Sequence, residues 1–86
     1  MNNIMSYNRK LSDIKEPTRV TVRKVEGDAA VRIMEMGIVP GTKLEVIRSA
    51  PFEFPVEIKV RGNLLTMREA EASCIFLESE NEVEVE

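Results

Sequence analysis

Residues 56–61 read Val-Glu-Ile-Lys-Val-Arg, three β-branched side chains in strict alternation with three charged ones. Successive side chains of a strand point to opposite faces, so this segment carries one apolar face and one wet face. A helix would scatter the same residues around its circumference. The segment therefore demands a sheet with a core on one side only. Gly62-Asn63 follows at once, a two-residue hairpin signal, and Leu64-Leu65-Thr66 is the returning strand.

The rest of the chain supplies matching pieces. Val20 and Val22 alternate with polar neighbours between Thr18 and Val25, a second half-buried strand. Lys43 to Ser49 forms a third, with Leu44 and Val46 on one face. Residues 74–77, Cys-Ile-Phe-Leu, form the last, with Phe76 placed in the core. Between the strands, Asp28 is a suitable N-cap and Gly37 a suitable C′ residue for a helix over residues 29–36. Ala30, Ile33 and Met34 share its inward face by their spacing. Val39-Pro40-Gly41-Thr42 has the signature of a type II turn. Leu11-Ser12-Asp13-Ile14 makes a short helical turn with Ser12 near its cap, stopped by Pro17. Thr66-Met67-Arg68-Glu69 fits a capping box for one helical turn over residues 68–73.

Five short strands are too few for a sandwich. They suit a mainly β fold: a small barrel of about five strands with one short α-helix and one helical turn. Val20, Val22, Leu44, Val46, Val56, Ile58 and Val60 are the expected inward residues, joined by Ile33 and Met34. The expected organisation is a flexible segment over residues 1–10, a barrel over 11–77 and an acidic tail over 78–86.

Charge narrows the function. Glu78, Glu80, Glu82, Glu84 and Glu86 put five negative charges in the last nine residues. Residues 1–77 then hold 12 basic and 10 acidic side chains, a net of +2. Such a body offers little of the phosphate-directed attraction that drives nucleic-acid binding, and the tail repels nucleic acid. No nucleic-acid partner is expected. No apolar run approaches the roughly 18 residues that a bilayer span needs, so no direct membrane insertion is expected.

Catalysis finds no support. The chain has no histidine and one cysteine, which rules out a histidine base and any Ser/His/Asp or Cys/His relay. Cys74 reads as a small core hydrophobe. The tail carboxylates lack preorganisation for a hard cation, and no tight iron or zinc site and no cofactor are expected. Phe52 and Phe54 lie in a loop over residues 50–55 bracketed by Pro51 and Pro55. Together with Met36, Gly37 and Ile38 at the helix end they make the expected partner surface, since aromatics and Met are enriched in interface cores.

Residues 11–51 and 56–78 resemble the opening and close of FeoA family proteins. The most specific element is Met34-Glu35-Met36-Gly37-Ile38-Val39-Pro40-Gly41, similar to the family's Glu-Met-Gly-Leu-x-Pro-Gly element. Ile58-Lys59-Val60-Arg61-Gly62 with Leu64, then Arg68-Glu69 and Glu71-Ala72, form a second matching cluster. The resemblance implies an SH3-like barrel in the bacterial cytoplasm that works by contact with the membrane ferrous iron transporter FeoB, without catalysis. Self-association into a homodimer is a further expected use of an exposed Phe52 or Phe54. The same domain type stands behind winged helices in metal-dependent repressors, so the alternative is a metal-responsive or transcription-linked regulatory module. The Phe52-Glu53-Phe54 loop and the long acidic tail depart from the family pattern.

Overall fold

A computed structural model describes residues 9–49 and 55–78. Strands β1 (Thr18–Val25), β2 (Lys43–Ser49), β3 (Val56–Val60), β4 (Asn63–Met67) and β5 (Ile75–Leu77) form one antiparallel sheet in the order β4-β3-β2-β1-β5. A 3₁₀ turn over Leu11–Asp13 precedes β1. Helix α1 (Ala30–Glu35) lies between β1 and β2, and helix α2 (Glu69–Ala72) between β4 and β5.

The long strand β1 joins the two parts of the sheet. Thr18 to Thr21 pair with β2, whereas Val22 to Val25 pair with β5. The ladder with β5 shifts register between Val22 and Lys24, and the ladder between β2 and β3 shifts between Val46 and Arg48. Such irregularities bend a strand and increase its twist. All seven valine, leucine and isoleucine side chains expected inward from β1, β2 and β3 are buried, as is Ile33. Leu11, Val25, Ala30, Ile38, Met67, Ala72, Cys74, Ile75 and Leu77 complete the core.

Several local expectations are corrected. Helix α1 begins at Ala30, with Ala29 rather than Asp28 at its N-cap and no side-chain bond there. The Gly27 carbonyl accepts from the Ala30 N–H instead. With only six residues, the helix turns Ala30 and Ile33 inward, and Met34, about 100° further round, stays exposed. The β3–β4 turn is Arg61-Gly62, not Gly62-Asn63: Val60 pairs with Asn63, and both turn residues have positive φ, 52° and 84°. That is the primed turn whose twist matches a hairpin.

The caps also move. The cap of α2 joins Arg68 and Glu71, two residues beyond the expected Thr66 and Glu69: the Arg68 N–H donates to Glu71 Oε1 at 2.9 Å, and the Glu71 N–H donates to the Arg68 carbonyl at 3.0 Å. The 3₁₀ turn is capped at Lys10, whose N–H donates to Asp13 Oδ2, rather than at Ser12. Arg9 and Lys10 are not frayed. The Arg9 carbonyl accepts from the Leu77 N–H at 2.8 Å, and Lys10 bridges to Phe76. Phe76 is not core either. Ile75 and Leu77 take the inward positions of β5, so alternation turns Phe76 outward, where Lys10 and Lys24 place their ammonium groups 5.5 and 5.0 Å from its ring centre.

Candidate docking surface

The segment from Val31 to Val39 combines an ordered backbone with exposed apolar side chains. It ends α1 in a full Schellman motif. The Ile38 N–H donates to the Ile33 carbonyl at 3.3 Å, and the Gly37 N–H to the Met34 carbonyl at 2.9 Å. Gly37 sits at φ 96°, which only glycine adopts without strain. The motif pairs its outer residue with the helix residue five positions back, and here Ile33 and Ile38 are both fully buried.

Two side chains, Arg61 and Thr42, fix this corner. The Arg61 guanidinium donates to the Gly37 carbonyl at 2.9 Å from 24 residues away. The Thr42 hydroxyl lies 3.4 Å from the same carbonyl and accepts from the Val39 N–H at 3.0 Å. The expected type II turn is present, closed by the Thr42 N–H on the Val39 carbonyl at 2.9 Å with Gly41 at positive φ.

The expected partner residues divide. Met36 is 40% exposed, and Gly37 is half-buried under the Arg61 guanidinium. Ile38 offers no surface, because the Schellman geometry turns it into the core. Phe52 and Phe54 lie outside the described residues. The sequence reading missed Val31, 66% exposed, with Met34 at 38% and Val39 at 37%. Val31 and Met34 are three apart and share a helix face. Among the described residues, four of the five exposed large hydrophobic side chains fall in this nine-residue segment, and Leu64 is the fifth.

Among the described residues, no three of His, Cys, Asp or Glu come together in a way that could hold a metal ion. Isothermal calorimetry of the full chain with ferrous iron or zinc at neutral pH is expected to give no stoichiometric submicromolar site; such a site would overturn that reading. Cys74 is buried, with its thiol 3.4 Å from the Ala70 carbonyl. No described helix is long and apolar enough to cross a membrane.

Known proteins agree with this architecture. A model of the FeoA domain matches residues 9–79. The solution structure of the FeoA protein from Chlorobium tepidum is 42% identical with a TM-score of 0.71, covering 84% of this chain and 70% of that one. A FeoA-like protein from Clostridium acetobutylicum is 32% identical with a TM-score of 0.75, covering 83% and 85%. FeoA from Stenotrophomonas maltophilia, solved with zinc and described as a prokaryotic SH3 domain protein, shares the fold at 22% identity and a TM-score of 0.69, covering 81% and 89%. No curated protein matches the chain. The fold is thus the SH3-like one, the family match runs through all of the described residues, and the chain belongs to the FeoA family.

Proposed function

We propose that this protein is a non-enzymatic accessory factor of bacterial ferrous iron uptake that binds the cytoplasmic side of the membrane transporter FeoB. Family membership supplies the link to iron transport. The observation that carries the contact is the concentration of exposed Val31, Met34, Met36 and Val39 in one segment. Single exposed apolar residues are ordinary on a protein surface, but a cluster marks an interaction site. Methionine suits such a site because its unbranched thioether adapts to the opposing surface. Phe52 and Phe54 extend the proposed contact, and the same surface serves self-association when the transporter is absent.

The test is binding of the full chain to the soluble cytoplasmic portion of the transporter. Val31→Ser combined with Met36→Ser is expected to weaken binding at least tenfold, since two central anchors at roughly 1 kcal/mol each suffice. Circular dichroism should stay unchanged, because both side chains are exposed. Leu64→Ser, outside the segment, should leave affinity within about twofold. Phe52→Ser with Phe54→Ser is expected to weaken binding further. Unaltered affinity in the first variant would sink the assignment of Val31 and Met36.

A further inference from the structure

The two ends of the sheet differ. At one end, β5 is covered by the chain itself: the Leu77 N–H donates to the Arg9 carbonyl at 2.8 Å, and Lys10 bridges to Phe76. At the other end, β4 pairs with β3 alone. Proteins guard such an edge with a charged side chain, a proline or a bulge. β4 has none of these. Its five residues are Asn, Leu, Leu, Thr and Met, and its ladder with β3 runs through five pairs without a shift.

The turn fixes which backbone groups are left over. Arg61 and Gly62 both have positive φ, so Val60 and Asn63 form the hydrogen-bonded pair that closes the hairpin. Bonded positions alternate along a strand. Asn63, Leu65 and Met67 therefore direct their N–H and C=O groups to β3, and those of Leu64 and Thr66 point off the sheet. Among the described residues nothing bonds to them. Leu64 is exposed, and Thr66 borders an open groove.

These outward groups are symmetric about Leu65. A second β4, related by a two-fold axis through that position, sets Leu64 of each copy opposite Thr66 of the other. Each such pair exchanges two N–H···O bonds, and the two Leu65 residues become the close pair without mutual bonds. Other registers match less well. Setting Leu64 opposite Leu64 brings Thr66 against Gly62 in the turn. Setting Thr66 opposite Thr66 brings Leu64 against Arg68, whose N–H is already held by Glu71 Oε1 at 2.9 Å.

Charge selects the same register. On the outer face, Lys59 flanks Leu64 and Glu57 flanks Thr66. In the register centred on Leu65, each row runs Lys59, Leu64, then Thr66 and Glu57 of the second copy, with opposite charges at its ends. The two other registers put like charges there, Lys59 with Lys59 or Glu57 with Glu57.

We propose that β4 is a dimerisation edge: a second copy of this chain adds its own β4 antiparallel, in the register centred on Leu65, and joins two sheets into one. The interface is isologous and uses no residue of the docking segment. It is also small, so the dimer is weak, with Kd on the order of 0.1–1 mM.

Sedimentation equilibrium of the full chain at concentrations up to about 1 mM tests this. Val31→Ser and Met36→Ser are present throughout, to remove association through the docking segment. A monomer–dimer equilibrium is expected to remain. Thr66→Pro removes an N–H that points off the sheet and leaves the β3 ladder whole, so it should weaken the dimer at least tenfold. Thr66→Ser keeps that donor and should change Kd by less than about threefold. Nuclear magnetic resonance on mixed labelled and unlabelled chain should show an α-proton contact between the Leu65 residues of the two copies. If Thr66→Pro unfolds the chain, this contact decides alone. A chain that stays monomeric overturns the proposal, as does a folded Thr66→Pro variant that dimerises normally. A dimer whose Leu65 α-proton meets Asn63, Met67 or nothing across the interface overturns it equally.

Discussion

Ile58→Ala is expected to lower the free energy of unfolding by about 2–5 kcal/mol. Ile58 lies in β3, paired with Val46 on one side and Leu65 on the other, and has no exposed surface. Truncation removes three methyl or methylene groups from the interior and leaves a void that neighbours held in ladders can fill only in part. Small domains hold roughly 5–15 kcal/mol in total, so this one change takes a large share. Denaturant titration should show a lower midpoint at constant slope. A loss below about 1 kcal/mol would contradict the packing, and Ile58→Val, expected at about 0.5–1.5 kcal/mol, keeps the test open if the alanine variant does not fold.

Gly27→Ala should be comparably damaging, for a different reason. Gly27 opens the turn between β1 and α1 at φ 120°, outside the range that side-chain-bearing residues adopt readily. A Cβ there would stand 2.7 Å from Cys74 Sγ, well inside contact distance. Backbone strain of about 1–3 kcal/mol and overpacking of similar size give an expected loss of about 2–6 kcal/mol. The two causes separate in a double-mutant cycle. Cys74→Ala in the Gly27→Ala background removes the clash but not the strain, so a favourable coupling of about 0.5–3 kcal/mol is expected. Zero coupling would show that the sulfur gives way freely.

The contrast between these two positions shows what the sequence discloses. Ile58 is legible because alternation is a local property: two neighbours on each side state which face is apolar. The same logic holds for Val20, Val22, Leu44 and Val46. It fails where parity is set by a distant partner. Phe76 is apolar, yet the inward positions of β5 belong to Ile75 and Leu77. Helix faces were less secure, because a one-residue shift in the start of α1 decides whether Met34 points in or out.

The end of α1 was half legible. Glycine before Val39-Pro40-Gly41-Thr42 announced a stop, but not that the stop would be a Schellman motif, which consigns Ile38 to the core. The turn at Arg61-Gly62 overrode the more favoured Gly-Asn pair, leaving an arginine at φ 52°. The strain there is offset in part by the bond from its guanidinium to Gly37, a contact 24 residues away that no local pattern encodes.

That clamp on Gly37 has a thermodynamic meaning for recognition. Association is opposed by the entropy of ordering whatever was loose beforehand. Here the main chain beneath Val31, Met34, Met36 and Val39 is already held by the helix, two Schellman bonds, a threonine hydroxyl and a guanidinium. A partner has no backbone left to order. Val31, β-branched and stiff at χ1, has little rotational freedom to surrender. Only the two methionines retain substantial torsional freedom, and their adaptable stems can mould to the opposing surface. The proposed contact thus meets a preorganised scaffold with a deformable skin, on which affinity would be set by side-chain fit and not by coupled folding.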